Sequence, residues 1–464
     1  MLFRQVLYSD LGCASYLLGD AGEAIVVDPR WDIAPYLEIA EAQHLRIAHV
    51  LDTHDHADHV SGRVRLAQAT GARSYRPGAP EGGGAEVVAP GDEIVAPGDE
   101  IVAGSVRLMA VATPGHRPEH LTFLVSDLHR GPEPWMLLSG DSLLVGDVAR
   151  PDLAVEASEG AHALHASLRR LLDLDDHVEV WPAHIGGSLC GGAGLSGKSS
   201  STVGFERRHN PRLGLDEDDF VADLTRELPS RPPNIARIVQ LNRRSGEPSP
   251  LGPPKLTGDG LLSLLGTGAT VLDARVPTAF DAGHVAGSIN LPVSSAGVGT
   301  RAGWALDPDI PVVIVATDAA EAHRMILALQ AVGFWQLEGV SIVDAEDWRR
   351  HSVPVARADS WDLEQLADGL REQSVDLVDV REPSEWVVGH IPGSHHVPLN
   401  RLRDVQSIVL PQRGRTTAVA CAAGMRAAFA ASLLRRAGRT DVVRVAGGGI
   451  GDLGALGLEL AAGA

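Results

Sequence analysis

The stretch Thr53-His54-Asp55-His56-Ala57-Asp58-His59 packs three histidines and two aspartates into seven residues. The apolar run Ile47–Leu51 leads straight into it, so the cluster sits where a buried strand ends. His54 and His56 are two apart and share one side of an extended segment, and Asp58 and His59 follow as the chain turns toward a helix. Imidazole and carboxylate donors suit Zn, Fe or Mn, and no cysteine lies near in sequence to make a thiolate-rich structural zinc site. Three histidines at this spacing have no packing rationale, which makes the stretch a metal-site candidate.

Further candidates stand downstream, each at the end of an apolar run. His116 closes Val111-Ala-Thr-Pro-Gly-His116, Asp141 closes Trp135-Met-Leu-Leu-Ser-Gly-Asp141, and His184 closes Val178-Glu-Val-Trp-Pro-Ala-His184. Layered sheets present functional side chains at strand ends, so four such placements point to one site.

At 464 residues the chain has room for about three domains of roughly 150 residues each. Its 44% hydrophobic content is enough for sizeable cores, and a net charge of -20 excludes the basic footprint of a nucleic-acid binder. No apolar run of about 20 residues spans a bilayer and no signal peptide is legible, so a cytoplasmic protein without membrane partners is expected. A homo-oligomer is compatible with these features. Three cysteines (Cys13, Cys190, Cys421) form no paired spacing, which argues against a disulfide framework. Residues 89–95 (APGDEIV) recur at 96–102, as expected of a duplication that extends a hairpin.

A Pro-rich passage around 229–254 has linker composition. Beyond it, Val271-Leu-Asp-Ala-Arg275 with Gly283-His-Val-Ala-Gly-Ser288 is echoed by Leu377-Val-Asp-Val-Arg381 with Gly389-His-Ile-Pro-Gly-Ser394. A repeat of roughly a hundred residues means two copies of one domain rather than a solenoid, each an α/β unit with parallel strands. The division expected is 1–240, 241–355 and 356–464.

The motifs Thr53–His59, Thr113-Pro-Gly-His116, Gly140-Asp141 and Ala183-His184 together resemble the metallo-β-lactamase superfamily, which implies an αββα sandwich with the metal at one edge. Within it, glyoxalase II-type thioester hydrolases use all seven side chains for two metals. The persulfide dioxygenase branch holds one Fe(II) with two histidines and one aspartate, which implies His54, His116 and Asp141 as ligands here, with zinc able to substitute. His56, Asp58, His59 and His184 would then line the pocket or serve a second metal. Val145–Leu153 and Ser199–Glu206, ending in Asn210-Pro211, resemble the persulfide dioxygenase branch, and Arg150 matches an arginine near the substrate. The chain departs from many relatives at Arg117-Pro-Glu-His120, where they carry Thr-Pro.

Gly192-Ala-Gly-Leu-Ser-Gly-Lys-Ser199 matches a phosphate-loop pattern, but the preceding strand carries a metal-site histidine, so nucleotide binding is not expected. The loop should instead arch over the metal cleft and bring Lys198 and Cys190 toward an anionic substrate; in similar fusions a loop of this kind carries a cysteine. In the last segment, Thr417-Ala-Val-Ala-Cys421 reads as a buried strand ending on a thiol, and Ala422-Ala-Gly-Met-Arg426 leads into a helix. Backbone N–H groups and the positive helix end stabilise a thiolate there. This segment resembles the rhodanese sulfurtransferases, with Cys421 as the sulfur-carrying residue and Arg426 in its loop. The first copy ends its equivalent strand in Thr317-Asp-Ala-Ala, has no cysteine, and is expected to be a scaffold.

The order of segments resembles the persulfide dioxygenase–rhodanese fusions. The expected fold is α/β multidomain: one αββα sandwich plus two rhodanese domains with parallel sheets. The expected chemistry is oxidation of small persulfides (glutathione, bacillithiol or coenzyme A type) by O2 to sulfite, with sulfane sulfur passed through Cys421 to give thiosulfate. The enzymatic alternative is a dinuclear zinc thioester hydrolase with rhodanese appendages. A non-catalytic sulfur relay with a vestigial metal site is a third reading, against which the intact set of seven stands.

Overall fold

The computed structural model describes residues 1–78, 91–186, 188, 190–192, 194–228, 230–244, 252–411 and 414–463. The chain divides into two compact units. The first comprises Met1–Arg231, Ile235–Ser249 and Ala331–Gly333; the second comprises Pro232–Asn234, Pro250–Gln330 and Phe334–Ala464.

The first unit opens with β1 (Leu2–Tyr8), β2 (Cys13–Asp20), β3 (Glu23–Val27), α1 (Ala34–Ala42), β4 (Arg46–Leu51), α2 (Arg63–Thr70), β5 (Arg73–Pro77) and β6 (Asp92–Val95). These six strands form one sheet in sequence order, antiparallel from β1 to β3 and parallel from β3 to β6. Then come β7 (Glu100–Ala103), β8 (Val106–Ala112), β9 (Leu121–Asp127), β10 (Met136–Gly140), a small hairpin β11 (Leu143–Leu144) and β12 (Asp147–Val148), α3 (Ala157–Leu171), β13 (Glu179–Pro182), β14 (Ser201–Thr202), α4 (Val203–His209), α5 (Glu217–Arg226) and α6 (Ile235–Arg243). The second sheet has the order β14-β13-β10-β9-β8-β7.

Side chains alternate across each sheet. Tyr16, Leu18, Ile25, Val27 and Leu51 from the first sheet meet Leu108, Phe123, Val125 and Leu138 from the second in one buried core. The opposite faces take Leu17, Val26 and Val50 against Tyr36 of α1 and Leu66 of α2, and Leu137 and Val180 against Leu164 and Phe220 of α3 and α5. That is the αββα sandwich. Each fully buried aliphatic side chain contributes about 1.5–3 kcal/mol.

Strand direction gathers the ends that matter. β8 and β10 are each antiparallel to β9, and β13 is parallel to β10, so all three finish at the same end of their sheet. In the other sheet β3 and β4 run together against β2, so the last residues of β3 and β4 lie beside the first of β2. Ala14 donates its N–H to Ala183 O at 2.7 Å and joins the two sheets there.

The tandem heptapeptide does not form a hairpin. Asp92–Val95 pairs in parallel with β5 at the edge of the first sheet, whereas Glu100–Ala103 pairs antiparallel with β8 at the edge of the second. Tertiary partners separate the identical copies: Asp92 binds Arg63 of α2, while Asp99 folds back to accept from Ala96 N at 2.8 Å. The phosphate-loop reading also has its answer, because the helix after Lys198-Ser199 starts only at Val203 and has seven residues.

In the second unit two parallel sheets repeat one plan. Ile289–Asn290, Thr270–Asp273, Val312–Ala316 and Leu337–Ile342 order the first; Ser360–Trp361, Val442–Val445, Thr416–Ala420, Val375–Asp379 and His395–His396 order the second. Each copy buries the same frame. Arg275 pairs with Asp273 and donates to Gly283 O at 2.9 Å; Arg381 pairs with Asp379 and donates to Gly389 O at 2.7 Å. His284 stacks on Phe280, as His390 stacks on Trp386. The copies pack together: Asn290 N donates to Ser432 Oγ at 3.0 Å, and Arg444 pairs with Asp281 at 2.6 Å. Strand Val355–Ala356 pairs with His284–Val285, so the last strand of the first copy runs across the 355/356 boundary.

Arg63 is 2% exposed and joins Asp52 to Asp92 inside the first unit. Arg63→Ala should strand two buried carboxylates and destabilise that unit by about 3–5 kcal/mol, measured as a lowered denaturation midpoint of its transition.

Candidate metal centre and cysteine site

Leu51 ends β4, and the chain enters a fully buried turn in which Thr53, His54 and His56 are 0% exposed. His116 follows β8, Asp141 follows β10 and His184 follows β13, so four strand ends converge. The nearest ligand atoms of His54, His116 and Asp141 all lie within 4.8 Å of one another. His54 Nε2 is 3.8 Å and His116 Nε2 3.4 Å from Asp141 Oδ2.

Those three atoms are buried and have no hydrogen-bond partner among the described residues. A buried donor or acceptor left unpaired costs roughly 1–3 kcal/mol, so three aimed at one point fit a cation that accepts their lone pairs. The opposite atom of each is anchored. His116 Nδ1 donates to Arg150 O at 2.9 Å, His54 Nδ1 meets Thr53 Oγ1 at 2.9 Å, and Asp141 Oδ1 accepts from His184 Nδ1 at 2.6 Å. Burial, with His56 and other cationic neighbours, pushes His54 well below the usual imidazole range. Burial likewise lowers His116 against the pull of Asp141. Both rings are held neutral, the form a metal ligand needs.

Asp58, His59 and His184 bind one another, and His59 leaves its buried Nε2 without a partner among the described residues. His184 Nε2 lies 2.9 Å from Asp58 Oδ2, and His59 Nδ1 lies 3.0 Å from Asp58 Oδ1. Burial favours the neutral form of each of these groups, but their mutual attraction prevails. It raises His59 and His184 well above the imidazole range, and it holds Asp58 and Asp141 below the carboxylate range. His56 Nε2 meets Asp28 Oδ1 at 3.1 Å and leaves its buried Nδ1 unpartnered.

No cysteine lies near the cluster in sequence, but two lie near it in space. Cys13 Sγ lies 3.3 Å from His184 Nε2 and 3.4 Å from Asp58 Oδ2, because antiparallel β2 begins where β3 and β4 end. Cys190 is also buried beside Asp141 and His184, and burial pushes its thiol up. Arg150 is 4% exposed, and its guanidinium forks onto Asp152 at 2.6 and 2.7 Å. Its carbonyl, not its side chain, orients His116. Lys198 is exposed, with its ammonium 5.8 Å from the Phe205 ring centroid, outside the buried cluster.

In the second unit Cys421 follows strand Thr416–Ala420 and is 2% exposed. Gly424, at φ 84°, opens helix Met425–Arg436 and donates its N–H to Cys421 Sγ at 3.0 Å. That left-handed turn suits glycine and points its N–H at the sulfur. Arg426 forks onto Glu385 at 2.5 and 2.8 Å. In the first copy the residue after strand Val312–Ala316 is Thr317, which is exposed.

The sequence matches the metallo-beta-lactamase superfamily profile over residues 8–184 and the rhodanese-like domain profile over 362–452. The persulfide dioxygenase ETHE1, mitochondrial, of Bos taurus is 30% identical over 253 residues, 54% of this chain and 91% of that protein. A crystal structure of a metallo-beta-lactamase from Staphylococcus aureus superposes with a TM-score of 0.65 at 30% identity, covering 74% of this chain and 98% of that one. The chain belongs to the metallo-beta-lactamase superfamily and is fused to a rhodanese-like domain. Among superfamily relatives, the hydroxyacylglutathione hydrolase of Anaeromyxobacter dehalogenans is 29% identical over 255 residues, 47% of this chain and 87% of that protein.

Several residues that brace the centre escaped the sequence reading. Asp28 accepts from Thr53 N at 2.6 Å and from its hydroxyl. His120 Nε2 accepts from Asp141 N at 2.8 Å, and burial lowers the ring to about 3, which keeps that acceptor free. Gly140, at φ 54°, leaves room for this contact, since a Cβ there would stand 2.5 Å from His120 Nε2. Glu119, from the segment that departs from many relatives, accepts from Arg117 at 2.7 Å and from Asp55 N at 3.3 Å. Only the match of Asp28 to a strand end was available as a sequence signal.

Asn242, on α6, gives the ligand turn its outer clamp. Its amide donates to His56 O at 2.8 Å and His59 O at 2.9 Å and accepts from Ser61 N at 2.8 Å. Asn242→Ala should leave the fold intact but weaken metal retention by about 10–100-fold, read by chelator competition with metal analysis.

Proposed function

We propose that this chain is a persulfide dioxygenase with one Fe(II), whose rhodanese-like cysteine carries sulfane sulfur. The observation that carries the reading is the convergence of His54 Nε2, His116 Nε2 and Asp141 Oδ2, buried and without a partner among the described residues, while Asp58 bridges His59 Nδ1 and His184 Nε2. Two imidazoles and one carboxylate with open positions are the donor set of non-haem iron oxygenases. The persulfide dioxygenase relatives over the N-terminal half support the same choice.

Fe(II), which His54, His116 and Asp141 would hold, would supply binding of O2 and of the persulfide sulfur and the redox capacity for oxidation. The protein's part is to hold two neutral imidazoles by their outer nitrogens, exclude water, and keep Asp141 ionised through His184. His56 and the Asp58–His59–His184 group line the pocket with Cys190. Arg150, braced by Asp152, is proposed to meet the anionic carrier of a glutathione, bacillithiol or coenzyme A type persulfide, with Lys198 at the exposed rim. The overall change is RSSH + O2 + H2O to RSH, sulfite and two protons.

At the second site, the Cys421 thiolate attacks the outer sulfur of a persulfide and RS⁻ leaves. Sulfite then takes that sulfur as thiosulfate and restores the thiolate. We assign these roles to domains 1–240 and 356–464, with 241–355 as a scaffold whose Asn290 and Asp281 hold the helix after Cys421 and its neighbouring strand.

The second reading, a dinuclear zinc thioester hydrolase, draws on the presence of all seven side chains and on the hydroxyacylglutathione hydrolase relatives. Metal analysis after anaerobic purification separates the two. One Fe(II) per chain and O2 uptake on adding persulfide are expected; two zinc ions with thioester cleavage and no O2 uptake would overturn the dioxygenase reading. His116→Ala and Asp141→Ala should each remove iron and O2 uptake together, by more than the ~100-fold that an outer partner costs.

Cys421→Ser should leave O2 uptake largely unchanged and shift the product from thiosulfate to sulfite, measured by ion chromatography beside an oxygen electrode. Unchanged thiosulfate would move the sulfur-carrying role to another thiol.

A further inference from the structure

We propose that Glu385 sets the donor preference of the Cys421 site by screening Arg426, so that sulfur is drawn from a persulfide rather than from thiosulfate. The inference rests on the reading that Cys421 carries sulfane sulfur, and it names which donors that site admits.

The charges around the loop carry the argument. Two guanidiniums belong to this region: Arg444, which stands beside Gly424 and is paired with Asp281, and Arg426, both of whose terminal nitrogens are taken by Glu385. A second carboxylate, Glu382, stands beside the pair and acts on Arg426 as well. A third arginine, Arg381, is buried and committed to Asp379 and Gly389 O. The region of the thiol loop therefore offers an incoming anion two glutamates and guanidiniums that are each already paired with a carboxylate. Burial works against the Arg426 cation, but Glu385 and Cys421 outweigh it, so the pair stays ionic.

Both donors deliver the same atom. The Cys421 thiolate attacks the outer sulfur and forms a new S–S bond as the old one breaks. From a persulfide RSSH the leaving group is RS⁻, and Cys421–SSH remains. From thiosulfate the leaving group is sulfite, and Cys421–SS⁻ remains. The donors differ in what they bring to the mouth: at most one negative charge at the reacting end of a persulfide, and two on thiosulfate. Free guanidinium donors would strengthen thiosulfate binding at this loop, and here the bidentate carboxylate occupies those of Arg426.

Glu385 also closes the cap of helix Pro383–Val388, where its Oε2 accepts from Glu382 N at 3.0 Å. Glu385→Gln keeps an acceptor for that cap and removes only the charge; Glu385→Asp keeps the charge. The test measures sulfur transfer to cyanide by the full-length protein, anaerobically so that the metal centre does not consume the donor. The donors are thiosulfate and the persulfide of 2-mercaptoethanol, whose carrier is uncharged, and Cys421→Ser defines the background. The pair is partly exposed, so a freed Arg426 in Glu385→Gln should raise kcat/KM for thiosulfate about tenfold, mainly through KM. The persulfide value should change less than about twofold, since its reacting end brings at most one charge to the screened field. Glu385→Asp should keep the wild-type ratio. Equal changes for both donors in Glu385→Gln, or an unchanged ratio, would overturn the assignment of Glu385. Wild-type transfer no faster than Cys421→Ser with either donor would overturn the sulfur-carrying reading itself.

Discussion

The two oxygens of Asp141 face different neighbours, and the metal centre depends on that division. Oδ1 accepts from His184 at 2.6 Å, while Oδ2 points with His54 Nε2 and His116 Nε2 into a buried space with no protein partner. If His184 turned away, Asp141 would be a buried carboxylate with both oxygens unanswered, at a cost of several kcal/mol. His184 in turn is held by Asp58, and Asp58 by His59. One chain of charge-assisted hydrogen bonds thus keeps a single carboxylate oxygen ionised and aimed. His59 keeps its buried Nε2, and His56 its Nδ1, without a partner among the described residues.

This arrangement needs both sheets at once. The first contributes the turn after β4, Asp28 after β3 and Cys13 at the start of β2; the second contributes the ends of β8, β10 and β13. Helix α6 then clamps the ligand turn through Asn242. In the second unit a duplicated frame carries different residues after its central strand. Asp273–Arg275 and Asp379–Arg381 make the same buried pair, yet Thr317 follows the strand in one copy and Cys421 in the other. A buried aspartate–arginine pair serves the fold, so it is present with or without the cysteine.

The heptapeptide repeat marks a limit of local reasoning. Identical residues in Asp92–Val95 and Asp99–Val102 meet different partners and finish at the edges of different sheets. Strand propensity describes one segment at a time, whereas edge pairing is decided by what remains unpaired elsewhere. The neighbourhood of Cys13 escaped for the same reason: it is 45 residues from Asp58 and 171 from His184 in sequence. Only the antiparallel return of β2 brings the thiol to them.

By itself the sequence determined the fold class, the repeat in the second unit, and the residues His54, His116, Asp141, His184 and Cys421 at their strand ends. Apolar runs and the polar residues that close them are local patterns, so they can be read in one dimension. Which nitrogen of each histidine is tied, that Asp58 pairs with His59 and His184, that Asn242 and His120 brace the turn, and that Glu385 occupies Arg426 were decided only by the tertiary structure. Hydrogen bonds over these separations depend on the register and direction of strands, and no spacing along the chain encodes them.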